Sequence, residues 1–520
     1  MLERREIYTS EKEITKGNVV TVLREAYLVH LINADRIKFL DNYEKGEQPL
    51  TREKSKRPDI NVIDVDNVAS EIVNFNTSYK WGNPFTITQR GEREDFDEDI
   101  LRGISELNLQ YELNGSRSKT QKLGRDVEVG ALGYTYIEPN YNYVDGEPYF
   151  KYIVLNPQFT FIVKSSYYVD QRDMMGVSYR NDGKGNTYFT CYTRDSIYVV
   201  INLVKIIDGK EVEEWYVDTD ANGNDNGIKN PMGMIPIVEW FRDYDRLGVF
   251  ERQIPDLDAL NLLASDICNA TEEAVQAIWH TNDVDFPKDE NGERITPKNN
   301  DWLQTYTAKD GKTPFVTPLS SNFDYTGNLN YYLSKRALIL EKCNVPQRSD
   351  NSGGSTTGAM DSANGYATAE LVASKQQCIQ ESCKMKELRL VLRALELADG
   401  IDASNPMLRL KISDLQPNIK RTKNFEMVTK TNAMATMLSH GIHGLHALKA
   451  VNLFSDPLEV YKDSQPLIEK YQASIFDKSS TTSQKSNSDD KVASDESDQI
   501  SNSPLIDGMS FEKPEGEKME

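Results

Sequence analysis

The chain of 520 residues is poor in cysteine and histidine, with five of each. Cys191, Cys268, Cys343, Cys378 and Cys383 form no CxxC pair and no regular framework, so their spacing predicts free thiols in a reducing compartment. No apolar run approaches the roughly 20 residues that a membrane-spanning helix needs, and no membrane role is expected. The N-terminal MLERREIYTSEKEITKG is charged and has no apolar core, which predicts no secretion signal. Positive charge is in deficit: 60 Lys and Arg stand against 81 Asp and Glu, a formal net charge of −21. That balance argues against a protein whose whole surface grips DNA or an anionic membrane. It leaves room for a protein past which DNA slides, because a weakly repelling wall offers phosphate no deep energy wells.

Catalytic signatures are missing too. Asp310-Gly311-Lys312-Thr313 contains GKT, but a phosphate-cradling loop needs a glycine where Tyr306 stands, and Pro314 occupies the start of the helix that would present its amides. Asp218, Asp220, Asn222 and Gly223 match the first half of a calcium loop. Its last ligand position is Lys229 and its flanks, WYV and IPIVEW, read as strands, so an Asx-rich hairpin turn is the better account. His440, His443 and His446 stand three apart, which rotates them around a helix axis. The two glycines between them favour a turn between helices over a metal site. Cys378 and Cys383 read as two buried thiols. No Ser/His/Asp or Cys/His arrangement is present, so neither catalytic residues nor a cofactor or metal is expected.

What the sequence does have is periodicity. Residues 18–48 read as a helix, and Val68, Ile72 and Phe75 keep helical spacing ahead of a turn at Trp81-Gly82-Asn83-Pro84. The acidic run EREDFDED leads into another helix. From Val127 to Trp240, aromatic and β-branched segments such as ALGYTYIEPN, FTFIVK and TYFTCYT predict a β-rich region, closed by IPIVEWF. Leu247 to Thr281 is a long helical pattern in which Pro255 marks a start or a kink. Residues 283–320 form an insertion with four prolines and short strands. Leu329, Leu333, Ala337 and Leu340 place a second helix, ended at Val345-Pro346. A helix of about 33 residues then runs from Tyr366 to Ala398, roughly 50 Å at 1.5 Å per residue. LRLKISDLQPN reads as a short β-like piece, and two or three helices follow through Ala473. Residues 477–520 carry 11 acidic and 5 basic residues among Ser and Asn and are predicted to be disordered.

Ahead of the long helix lies SDNSGGSTTGAMDSANGY, from Ser349 to Tyr366. Taken alone, so soft and side-chain-poor a stretch is a surface loop. The order of segments suggests more: two long helices flank a compact insertion, and the second is followed by a small-residue loop and a very long helix. That order resembles the bacteriophage portal protein family, in particular the group from long-tailed phages of Gram-positive hosts. Local segments agree. FLDNYEKGEQPL is similar to the family's early Tyr-x-x-Gly segment, and NVIDVDNVASEIVNFNTSYKWGNPFTI to its segment with Ile-Val followed by Tyr-x-x-Gly-x-Pro. DVEVGALGYTYIEPN is similar to its Gly-x-x-Tyr strand, and IPIVEWFRDYDRLGVFERQIPDLDALNLLASDICN to the segment that enters its first long helix.

The resemblance implies an α+β portal-type fold: an α/β wing, a two-helix stem, a small α/β clip, a long wing helix and a helical crown. By segment order the N-terminal wing region is 1–242, the stem helices 243–282 and 325–346, the clip 283–324, the tunnel loop 347–365, the long wing helix with its connection 366–406, the crown 407–476 and the acidic tail 477–520. It further implies a non-enzymatic ring of twelve subunits at one capsid vertex, assembled in the host bacterial cytoplasm. Double-stranded DNA would pass non-specifically through the channel. The implied partners are the terminase motor, the major capsid and scaffolding proteins, and the neck or adaptor proteins. Arg348, Ser352, Gly353, Gly354, Ser355, Thr356, Thr357 and Gly358 become channel-lining residues, and Phe286, Trp302 and Phe315 a clip interface. Glycine and hydroxyl side chains suit that loop: they let many copies crowd an axis, change shape, and offer phosphate weak contacts without sequence information. Two other readings stay open on the residues alone, a different virion structural protein and an unrecognised hydrolase.

Overall fold

Apolar residues at helical spacing build α1 (Val19–Glu44) and α2 (Val68–Trp81), the second opened by the Asn67 side chain, which accepts from the Ser70 amide. The computed structural model describes residues 4–53, 58–90, 98–167, 172–207, 210–218, 227–275, 278–282, 284–285, 306–307, 315–319, 324–347, 365–419, 421, 427–451, 453–454, 460–470 and 473. The chain divides into two units, Met1–Asn432 with Asn452–Asp456, and Ala433–Val451 with Pro457–Glu520.

In the first unit, β1 (Ile7–Thr9) precedes α1, and β2 (Thr86–Gln89) follows α2. Next come α3 (Glu98–Leu113) and α4 (Ser116–Gly130). The β region was expected to begin at Val127; the helix instead continues to Gly130, since Leu123 and Val127, one turn apart, both face the core. Among the described residues nine strands follow: β3 (Leu132–Pro139), β4 (Phe150–Leu155), β5 (Thr160–Ser165), β6 (Asp173–Asn181), β7 (Thr187–Tyr192), β8 (Ser196–Ile207), β9 (Lys210–Val217), β10 (Ile228–Lys229) and β11 (Ile237–Phe241). The larger sheet has the order β1-β5-β6-β7-β8-β10, with β9 also on β8; β1 lies parallel to β5 and the other pairs are antiparallel. A second sheet has the order β11-β3-β4.

After a 3₁₀ turn at Glu251–Gln253, α5 covers Ile254–Val275, so Pro255 does mark a helix start. The expected helix to Thr281 stops short, because Ile278–Asn282 form β12, paired with β15 (Phe315–Leu319). β13 (Val284–Asp285) pairs with β14 (Tyr306–Thr307). The second helix is α6 (Tyr325–Lys342), and the long helix is α7 (Tyr366–Leu397). The piece read as β-like after Pro406 is mostly 3₁₀ turns at Pro406–Arg409 and Ile412–Asp414. Only Leu415–Asn418 forms a strand, β16, paired with β2. The architecture is α+β.

Two buried polar knots tie helices to sheets. Glu387 on α7 accepts from the Tyr111 hydroxyl (3.0 Å), from Thr135 Oγ1 (3.0 Å) and from Lys384 Nζ (2.6 Å), and Trp240 Nε1 donates to Thr135 (3.0 Å). The Lys384 ammonium lies 3.8 Å from the Tyr111 ring centroid; burial pushes its pKa down and the Glu387 charge pulls it back. In the second knot, Glu128 on α4 accepts from Lys80 Nζ (3.2 Å), Trp81 Nε1 (3.3 Å) and Arg242 Nε (3.1 Å). Burial alone would bring Lys80 down, and the opposing Glu128 charge leaves it at about 8.

The N-terminal arm is clamped at two points just ahead of β1. Arg4 donates to Glu251 and, through Nε, to the Gly130 carbonyl (3.0 Å). Glu6 accepts from Lys164 (2.7 Å) and Arg246 (2.9 Å).

In the second unit, α8 (Met427–Ser439), most of which lies there, is followed by α9 (Gly444–Val451), and residues 460–470 are helical. Among its described residues, Leu438, Leu445, Ala447, Leu448, Val451, Tyr461 and Ile468 are the buried apolar ones. The expected turn between helices falls at 440–443, where His443 Nε2 meets the Tyr461 hydroxyl at 3.0 Å. Among the described residues no cluster of three or more metal-ligating side chains occurs, and no helix is long and apolar enough to cross a membrane.

The arm should respond to acid. Burial works to raise the Glu6 pKa, but hydrogen bonds from Lys164 and Tyr8 and the Arg246 and Lys164 charges reverse that and hold it at about 2, against 4.5 when free. A depressed carboxylate contributes stability that is complete above its free value and is lost as pH falls through the folded one. Hydrogen-exchange protection of Ile7–Thr9, corrected for intrinsic rates, should therefore fall between pH 4.5 and about 2. Glu6→Gln should flatten that response.

Candidate functional site

The two helices around the insertion run antiparallel. Lys342 at the end of α6 donates to Asp256 at the start of α5 (2.9 Å), and Lys335 lies 3.6 Å from the same carboxylate. β12 and β15 continue the pair as an antiparallel ribbon. Asp324 caps α6 by accepting from the Gly327 amide (2.9 Å).

An extended strap, residues 62–66, lies along α5. Asn269 accepts from Val62 N (2.8 Å) and donates to Val62 O (2.9 Å). Ser265 Oγ accepts from Asp64 N (2.9 Å), and Asn261 Oδ1 from Asp66 N (3.0 Å). Side chains four apart on a helix thus serve alternate residues of an extended chain. The repeats nearly match, about 6.0 Å for four helical residues and about 6.6 Å for two extended ones. Asp66 also accepts from the Tyr332 hydroxyl and from Arg336 Nε (3.3 Å), which fastens the strap to α6.

On α6, Leu329 (50% exposed) and Leu333 (51%) lie about half a turn around the helix from Tyr331 (60%) and Leu338 (49%). A helix apolar on two opposite exposed faces is suited to burial on both sides. Val62 and Ile63 on the strap are exposed too.

The far end of α6 enters a core. Ile339, Leu340, Cys343 and Val345 pack with Leu40, Tyr43, Val68, Ile72, Phe250 and Leu257. Asn344 takes a left-handed turn (φ +58°), and Asn76 Nδ2 donates to the Cys343 carbonyl at 3.5 Å. After Gln347 the chain is next described at Gly365, also left-handed (φ +80°), where a Cβ would lie 3.7 Å from Pro346 Cα. The stretch between the two helices therefore leaves and returns at one place. The returning side is equally fixed. Ala369 and Ala373 pack on Tyr79, whose hydroxyl donates to Glu370 (2.5 Å), and Tyr366 stands 6.4 Å from both the Phe75 and Tyr79 ring centroids. Arg421 adds an ion pair to Glu370 (3.2 Å) and a bond to Gln377 (2.9 Å). Helix α2 thus receives both ends of the loop.

Arg348, Ser352, Gly353, Gly354, Ser355, Thr356, Thr357 and Gly358 lie outside the described residues, as do Phe286 and Trp302. Phe315 opens β15 opposite Asn282. The Asp218–Gly223 segment is described only at Asp218, and the GKT segment and the acidic tail lie outside. Cys383 is buried as expected but Cys378 is exposed, since five residues place them on different sides of α7. Residues 407–419, assigned by resemblance to the crown, pack on α3, α7 and β2 in the first unit. The strap and its ladder were not foreseen. Their signal was the spacing Asn261, Ser265, Asn269, three hydrogen-bonding side chains on one helical stripe.

The family model described as "Phage portal protein, SPP1 Gp6-like" matches residues 29–423. No curated protein matches the chain. Among solved structures, a chain of the neck of a native GTA particle, computed with C12 symmetry, is similar at 10% identity, with 81% of this chain and 98% of that one covered and a TM-score of 0.39. A chain of the neck of an empty GTA particle, computed with C6 symmetry, has the same identity and coverage with a TM-score of 0.35.

Gly365 holds the loop base on left-handed backbone, where any side chain is strained. Gly365→Ala puts a side chain on left-handed backbone, costing about 1–2 kcal/mol. Urea unfolding should show a loss of that size, with the slope unchanged.

Proposed function

From the chain's place in the phage portal protein family, SPP1 Gp6-like, to which it belongs, we propose that copies of it form a ring of twelve at one capsid vertex and that DNA enters and leaves through the ring's axis. One observation supports this reading beyond membership: the base of the loop after α6 is pinched shut and fastened on both sides to α2. A rigidly mounted loop of small residues can stand in a channel, yield as DNA advances, and leave the scaffold undisturbed.

In this reading 1–242 and 366–406 are the wing, 243–282 and 325–346 the stem, 283–324 the clip, 347–365 the tunnel loop, 407–476 the crown and 477–520 a tail. The clip would meet the terminase motor during packaging and the neck or adaptor proteins afterwards, with Phe286, Trp302 and Phe315 contributing. Capsid and scaffolding proteins would surround the wing. The two apolar faces of α6 suit a head-to-tail contact, in which one face of each copy meets the other face of the next and the ring closes on itself.

Native mass measurement should show a species near twelve subunits. Leu329→Asp with Leu333→Asp should shift it toward monomer while each monomer stays folded, because both side chains are already exposed; undisturbed rings would remove the α6 contact. Deleting Gly353–Gly358 separates channel from surface loop. Loop length costs only about 0.6 kcal/mol per doubling, so fold and rings should persist. Capsids carrying the deletion should fail to fill with DNA; full heads would remove the tunnel-loop assignment.

A further inference from the structure

α2 and α4 pack closely because Gly124 admits the Trp81 ring where a Cβ would collide. On the outer side this leaves an open groove of ≈ 650 Å³. Its charged lining is Arg117, Lys122 and Arg125, and no carboxylate or aromatic side chain is among its described lining residues. The rest is hydroxyl, amide and glycine apart from Val73. The lining runs against the chain's overall balance of −21.

The cations are not equally engaged. Arg125 is held by Asp41 (2.9 Å) and Glu44 (2.6 Å), so its charge is largely answered within the protein. Lys122 is exposed, makes a 3.3 Å bond to the Val154 carbonyl and acts electrostatically on the Asp126 carboxylate one turn along α4. Arg117 is exposed, and its side chain has no partner among the described residues. Thr77 lines the α2 wall, and its buried Oγ1 has no hydrogen-bond partner among them either.

We propose that this groove is a docking site for the sugar–phosphate backbone of double-stranded DNA, outside any axial channel. Cations and neutral donors without a carboxylate select an anion. The missing aromatic wall removes the stacking that a nucleotide base or a single strand would use, leaving backbone contact alone. From Arg117 to Arg125 the groove extends about 12 Å, three to four steps of the roughly 3.4 Å axial rise per phosphate on one strand. Contact there is weak, salt-sensitive and blind to sequence. It stands independently of the ring reading, since each copy carries the whole groove.

The test uses the full chain as it assembles and a covalently closed circular duplex, which cannot thread a ring. Binding is measured from 50 to 200 mM salt for the native chain and for Arg117→Gln with Lys122→Gln. The native chain should bind, and the double variant should bind several-fold more weakly, with the slope of log K against log salt reduced by about 1.8, two contacts at 0.9 each. Lys12→Gln with Lys184→Gln, the same charge change at exposed sites elsewhere, should leave the slope unchanged. No binding by the native chain, an unaltered slope in the groove variant, or an equal fall in the control would each overturn the proposal. So would preferential binding of poly-glutamate, which would make the groove a protein site. Rings are scored separately by native mass. Lost DNA binding in intact rings confirms the groove, and DNA binding without rings sinks only the ring reading.

Discussion

One buried carboxylate organises the part of the molecule that matters most. Glu128 receives Lys80 and Trp81 from α2 and Arg242 from the segment after β11, and its own carbonyl accepts from the Val249 amide on the way into α5 (2.8 Å). One residue thus fixes the angle of α2 and the exit of the second sheet through its side chain, and the entry of the helix pair through its main-chain carbonyl. Two cations and an indole satisfy the carboxylate fully, which a buried charge requires, since an unmet one costs several kcal/mol. The pinched loop base rests on α2, so its position follows from that knot.

Where the sequence carried a clean period, the structure was legible. Val68, Ile72 and Phe75 announced α2, and Tyr366 to Leu397 announced α7 to within a residue. α4 was harder, because its buried face includes Thr120, Gly124 and Glu128 as well as Leu123 and Val127, and a hydrophobic period cannot show a core made partly of polar and empty positions. Ile278 lies within the helical pattern read from Leu247 to Thr281, yet its strand is fixed by a partner 41 residues away, Leu319. The strap escaped for the same reason: its bonds join residues about 200 apart in sequence. The loop as a segment was legible from composition. That its ends meet at Pro346 and Gly365 was not, since closure is set by what each end packs against.

Charge is distributed to match the proposed traffic. A net −21 keeps the bulk of the surface from holding DNA, and the small-residue loop offers phosphate little to grip. In the proposed reading, retention would rest on a short groove lined by Arg117, Lys122 and Arg125. A wall that lets DNA pass and a patch that steadies it nearby are compatible only if the patch is local and weak, because an attraction spread over the surface would stall the passage.

The strap on α5 behaves as a vernier. Each rung advances the helix by about 6.0 Å and the extended chain by about 6.6 Å, and turns the contact about 40° around the axis. Over three rungs the offset is about 0.6 Å either side of the middle, within the tolerance of a hydrogen bond; five rungs would double it. The clasp therefore limits its own length. It also fixes phase: one residue gained or lost inside the Asn261–Asn269 span would turn the far rung by about 100° and open it. Natural length variation in this helix should fall outside those nine positions, or come with a compensating change in the strap.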